Sequence, residues 1–183
     1  MHVPSKIDPA IERGESLASV PCALARVLIA GVGYRNLRDL SIGPVLIDRL
    51  KKEKWPSGVE VEDLSYGPIG VMHNFDDRPP YDKIIFLAGV NRNRRPGQIN
   101  CYRWRHELPE PDEIQARIGE AVTGVISLDN LLIISTYFKK LPEDVVVVEV
   151  EPADETWGEG FTKPMEEAIS MIIELIRHQA GVP

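Results

Sequence analysis

The chain has 183 residues, 43% hydrophobic and 27% charged, with a formal net charge of −7. That length suits one domain with a sizeable core, and the acidic balance argues against sequence-independent nucleic-acid binding, which rests on Lys and Arg neutralising phosphates. No run approaches the ~18 apolar residues of a membrane span, and the N-terminus does not read as a signal peptide. Two cysteines, Cys22 and Cys101, far apart and without a CxxC pattern, argue against a disulfide framework or zinc ribbon, so a cytoplasmic location is expected.

Residues 1–24 carry Pro4, Pro9 and Pro21 and read as a polar extension, leaving residues 25–183 as a single domain. From Arg26 onward strand and helix signals alternate. "RVLIAGVG", "DKIIFLAGV" and "VVVVEV" are short, nearly continuous apolar runs. Such runs suggest strands covered on both faces, the habit of parallel sheets. "GVEVEDLS" alternates and fits an edge strand; "GQINCYRW" reads as another, with Cys101 as a buried small hydrophobe. Ile42, Val45, Leu46 and Leu50 predict a helix beginning near Ser41. "MHNFDD" reads as a loop, and "ISLDNLLIISTYF" as a packed helix, with a strand as the alternative. The last helix is predicted from Thr162 and Pro164, with Met165, Ile169, Ile172 and Ile176 as its stripe and Gly181 after it. The order predicts a three-layer α/β/α sandwich around a mostly parallel sheet.

Within "GVGYRNLRDLSIG", residues 31–43, Gly31 and Gly33 fit a dinucleotide fingerprint, but Asn36 replaces its third glycine. A helix starting near Ser41 also comes too late to hold a pyrophosphate beside Gly33. The longer stretch "RVLIAGVGYRNLRDLSIGPVLIDRL" resembles the opening of the [NiFe]-hydrogenase maturation endopeptidases. Gly31, Gly33, Asp39 and Gly43 stand at the spacing of that family's strand, G-x-G turn, acid and helix-opening glycine. "VEDLSYGPIG", "YDKIIFLAGVNRNRRPGQI" and "LPEDVVVVEVEPADETWGEG" with "FTKPMEEAI" follow in the family's order, so the resemblance spans about residues 26–178.

The resemblance implies a protein that acts on, or binds, the precursor of a hydrogenase large subunit. Family members trim a C-terminal extension after nickel insertion and recognise nickel with two acids and a histidine. Those positions fall here on Leu40, Leu87 and Gly124, none of which has a side-chain donor. No resident metal or cofactor is therefore expected, with nickel reaching the site only through a rebuilt set or through the substrate.

A replacement set would draw on Asp39 and on the cluster His73, Asp76 and Asp77, with Asp39 and His73 as the tentative metal pair. The simpler expectation is that Asp39 caps the next helix and the cluster is a solvated loop. Gly31, Gly33, Asp39, His73, Asp76 and Arg92 are the candidate groove residues. Arg92, Arg94, Arg95, Arg103 and Arg105 form the one basic feature, either for solubility or for docking an acidic partner or a C-terminal carboxylate. Glu149 and Glu151 close the valine run, as site acids or as a strand leaving the core. No GxSxG elbow appears and neither cysteine has an evident histidine partner. The readings are an altered peptidase, a non-catalytic assembly protein (the one favoured) or a small-molecule-binding α/β domain.

Overall fold

The computed structural model describes residues 25–182; the predicted N-terminal extension, with Cys22 and His2, lies outside them. Its elements run β1 (Val27–Val32), a 3-10 turn (Arg38–Ser41), α1 (Ile42–Leu50), β2 (Val59–Asp63), α2 (Pro68–Asp76), β3 (Lys83–Gly89), β4 (Ile99–Arg103), α3 (Pro111–Val122), α4 (Leu128–Tyr137), β5 (Asp144–Val150) and α5 (Lys163–Gln179). The five strands lie in the order β2-β1-β3-β5-β4. All neighbours are parallel except β4, which returns antiparallel along β5 with Tyr102 opposite Val147.

The apolar runs are continuous because both faces of the central strands are buried. Val27, Ile29, Ile85, Leu87, Val146 and Val148 face α1 and α5, meeting Leu46, Ile47, Met165, Ile172 and Ile176. The alternate residues, including Leu28, Ile84, Phe86, Val145 and Val147, face Leu128, Leu131 and Leu132 of α4. α2 and α3 complete that second layer through Met72 and Ala121, which meet Ile134 of α4. Each such side chain stabilises the fold by roughly 1.5–3 kcal/mol through burial. The expected sandwich is thus the observed one, with β2 at an edge and residues 128–137 helical.

Three local expectations are corrected. "MHNFDD" is not a loop: Gly67 and Pro68 open a helix there that runs to Asp76, Pro at the first position being preset for it. Cys101 is in a strand, but an edge strand, and it is exposed. Asp39 does not cap α1, whose first turn receives no side-chain cap at all.

Glycines set how closely α1 approaches the sheet. A Cβ on Gly43 would stand 2.5 Å from the Val32 carbonyl oxygen and 2.8 Å from that of Leu87, and one on Gly31 would meet Ile47 and the Gly43 carbonyl. Gly119 of α3, by contrast, faces open space. Gly43→Ala is therefore expected to destabilise the protein by about 3 kcal/mol through backbone displacement. Gly119→Ala should stabilise it by up to ~1 kcal/mol. Urea unfolding of the two variants separates these opposite signs.

Candidate functional site

The strand order reverses between β1 and β3, since β2 lies to one side of β1 and β5 to the far side of β3. In open α/β sheets ligands bind outside the carboxyl ends of strands at such a switch point. A cleft of about 190 Å³ lies there, lined by Gly33, Tyr34 and Leu40 of the β1–α1 turn, Ala88 to Asn91 after β3, Ile126 to Asp129 at the start of α4, and Glu155. Two contacts bridge its walls. The Tyr34 hydroxyl accepts a hydrogen bond from the Ile126 N–H at 2.7 Å, and the Asn91 amide donates to the Glu155 carboxylate.

Asp39, fully buried, holds this edge together. One carboxylate oxygen accepts the Thr162 N–H at 2.8 Å. The other accepts the Ala153 N–H at 2.8 Å, the Thr162 hydroxyl at 2.7 Å and, less closely, the Asp154 N–H at 3.3 Å. The aspartate therefore ties the β1–α1 turn to the β5–α5 connection. Backbone bonds run alongside it, with Arg38 N–H donating to Gly158 and Asp39 N–H to Asp154. Gly33 belongs to this close packing, because a Cβ there would stand 2.6 Å from the Leu40 carbonyl oxygen. Its φ of +154° is one that L side chains rarely adopt.

Behind the cleft a second charged group is assembled. Glu149, 1% exposed, accepts hydrogen bonds from Arg92 at 2.8 Å, Arg94 at 2.9 Å and the Tyr102 hydroxyl at 2.9 Å. Arg92 also forks onto both oxygens of Asp129 at 2.9 and 2.6 Å. Its backbone N–H meets the buried Glu151 carboxylate. Burial pushes Glu149 up, but Arg92, Tyr102 and Arg94 outweigh it and hold the carboxyl below the usual glutamate range. Burial and then the Glu149 carboxylate raise Tyr102 well above an ordinary phenol. Arg92 is raised by its bonds to Asp129 and Glu149, so it stays charged.

The candidate groove residues separate accordingly. Gly33 lines the cleft, whereas Gly31 is buried against α1 and presents nothing to it. Arg92 stands behind, and its partner Asp129 is on the wall. The tentative pair Asp39 and His73 is not brought together. Asp39 spends its oxygens on the β5–α5 connection. His73 is exposed on α2, lining a separate groove with Ile118 and Phe138, and Asp76 there pairs with Lys140. Arg92 and Arg94 leave the basic patch, their two charges being matched by Glu149 and Asp129. Tyr34 and Asp129 were not singled out from the sequence. Ser127, whose hydroxyl accepts from the Asn130 N–H, is the cap that marks the wall they share.

The positions that the resemblance assigns to nickel do not fit it. Leu87 is buried in the aliphatic layer against α1 and α5. Gly124 is exposed with φ +86°. Leu40 lines the cleft but has no lone pair to give. Nor can a donor enter easily at Gly89, where a Cβ would stand 2.8 Å from the Asp39 carbonyl oxygen and 3.1 Å from the Leu40 Cα. Among the described residues no group of three or more His, Cys, Asp or Glu is placed to hold a metal ion. No helix among them is long and apolar enough to cross a membrane.

No family model and no curated protein matches the sequence. Solved structures do match the fold. The hydrogenase 2 maturation peptidase of Thaumarchaeota archaeon SCGC_AB-539-E09 is 24% identical over 86% of this chain and 99% of its own, with a TM-score of 0.62. The Escherichia coli hydrogenase maturating endopeptidase HybD is 21% identical over 84% of this chain and 91% of its own, at 0.64. The [NiFe] hydrogenase maturation protease HycI of Thermococcus kodakarensis is 19% identical over the same shares, 84% and 91%, at 0.63. The architecture is the one these proteases share.

Asp39→Ala would leave buried N–H groups of the β5–α5 connection without an acceptor and is expected to lower unfolding free energy by about 3 kcal/mol, with Thr162→Val near 1 kcal/mol. Chemical denaturation measures both. For Glu149 the folded value is depressed, so its stability contribution is fully present above the ordinary glutamate value of 4.5 and is lost as pH falls through the folded value. Glu149→Gln, which leaves the Arg94 guanidinium without its carboxylate while Arg92 keeps Asp129, should cost about 2 kcal/mol at neutral pH. Unfolding curves taken at stepped pH should show the gap between wild type and variant narrowing in acid.

Proposed function

We propose that this chain is a divergent relative of the hydrogenase maturation endopeptidases that binds a hydrogenase large-subunit precursor, or a related protein, without metal-guided cleavage. The carrying observation is the cleft itself. It stands at the topological switch point and is fixed by Asp39, but Leu40, Leu87 and Gly124 occupy the positions where the resemblance places nickel recognition. Its polar groups are already spoken for: Ser127 caps α4, Asp129 is held by Arg92, and Tyr34 and Asn91 bridge the walls. None of these pairs is a nucleophile beside its base. What the cleft offers is shape and backbone, which suits recognition rather than bond cleavage. In this reading the protein is a pseudoenzyme, a maturation factor that holds a precursor instead of trimming it.

The test incubates the purified chain with a nickel-loaded [NiFe]-hydrogenase large-subunit precursor that retains its C-terminal extension. Size-exclusion chromatography should show a stoichiometric complex, and intact-mass measurement should show the precursor unchanged. Loss of the extension would make the protein an active peptidase. Absence of a complex, under conditions where a cleaving maturation protease processes the same precursor, would remove hydrogenase from its partners.

A further inference from the structure

The sheet ends on β4, and the phase of its pairing can be read from its flanks. The Gln98 carbonyl accepts the Glu151 N–H at 3.0 Å, and the Trp104 N–H donates to Val145 at 2.9 Å. In an antiparallel ladder residues alternate between facing the partner and facing away. Asn100 and Tyr102 therefore turn their backbone groups to β5, while Ile99, Cys101 and Arg103 turn theirs outward. At the centre of that outward row Cys101 is exposed, and the Arg103 side chain is 72% exposed.

Grooves flank this edge on both faces of the sheet. On the α4 side a groove of about 830 Å³ is formed by Trp104, Leu108 and Ile133. On the α5 side one of about 720 Å³ is formed by Ile99, Pro164 and Met171. Leu108 and Met171 are large apolar side chains left exposed. An added strand sends successive side chains to opposite faces, so it would fill the two grooves alternately while its backbone pairs with Ile99, Cys101 and Arg103.

Charge says what kind of strand. Arg95, Arg103 and Arg105 border the grooves, against Glu107 and Glu167, in a chain of net charge −7. Among the described residues Arg95 makes no ion pair, Arg105 reaches only Glu107 at 4.0 Å, and Arg103 keeps an exposed tie to Asp144 at 2.6 Å. Two copies meeting edge to edge would crowd the arginines of both onto one seam. The geometry points to β4 as a docking edge for an extended acidic segment of a partner protein, which adds a sixth strand to the sheet. This surface is separate from the cleft at the strand ends, and it stands whichever reading of that cleft is correct.

The probe is a capped peptide of four Val-Glu repeats, with four Val-Lys repeats as its counterpart. Residue-resolved amide hydrogen exchange is followed by NMR. Saturating Val-Glu peptide should slow exchange at Ile99, Cys101 and Arg103 by about tenfold or more and leave Asn100 and Tyr102 unchanged, while Val-Lys peptide should do neither. Cys101→Pro removes an N–H that β5 does not use, so the fold should persist and the protection disappear. The double variant Arg103→Glu with Arg105→Glu should shift the preference to the Val-Lys peptide, and it decides the matter if the proline variant does not fold. Equal response to both peptides, protection without the alternation, or a dimer joined through β4 in sedimentation would overturn the proposal.

Discussion

A single buried carboxylate organises the carboxyl edge of this sheet. Asp39 has no access to water and gathers donors from the Ala153–Thr162 connection on both of its oxygens. A charge so placed is tolerable only while its hydrogen bonds are made. The turn after β1 and the segment entering α5 are consequently one mechanical piece, although more than a hundred residues separate them in sequence. Glycines make the arrangement tight: at Gly31, Gly33, Gly43 and Gly89 the space of a Cβ is already taken by neighbouring backbone or by Ile47.

The Arg92 group does for the other side of the cleft what Asp39 does for the first. Its guanidinium joins α4, through Asp129, to β5, through Glu149, and Tyr102 brings in β4. Both walls are thus fixed by charges satisfied inside the protein. Groups committed in this way hold a surface in one shape, because moving either wall breaks hydrogen bonds that both sides share.

Much of the fold was legible because burial on both faces writes itself as unbroken hydrophobicity, as in "VVVVEV", and because α5 carries a helical stripe ended by Gly181. The misreadings share a cause. At "MHNFDD" polar composition outweighed the helix start written in Gly67 and Pro68, and α3 went unread although Pro111, Asp112 and Glu113 mark its first turn. Cys101 was placed in a strand, yet only the strand order says that the strand is an edge. The role of Asp39 was not legible locally, since its acceptors' partners lie 114 to 123 residues away. The same holds for Arg92 and Arg94, which look like free positive charge until Glu149, 57 and 55 residues on, is seen between them.

At Gly89 the carboxyl end of β3 has no room for a side chain: the Asp39 carbonyl oxygen and the Leu40 Cα would stand 2.8 and 3.1 Å from its first carbon. That turn cannot retreat while Asp39 is anchored across the sheet to Ala153 and Thr162. Position 89 is therefore coupled to a connection it never touches, and a side chain at the end of β3 fits only if the segment entering α5 loosens as well.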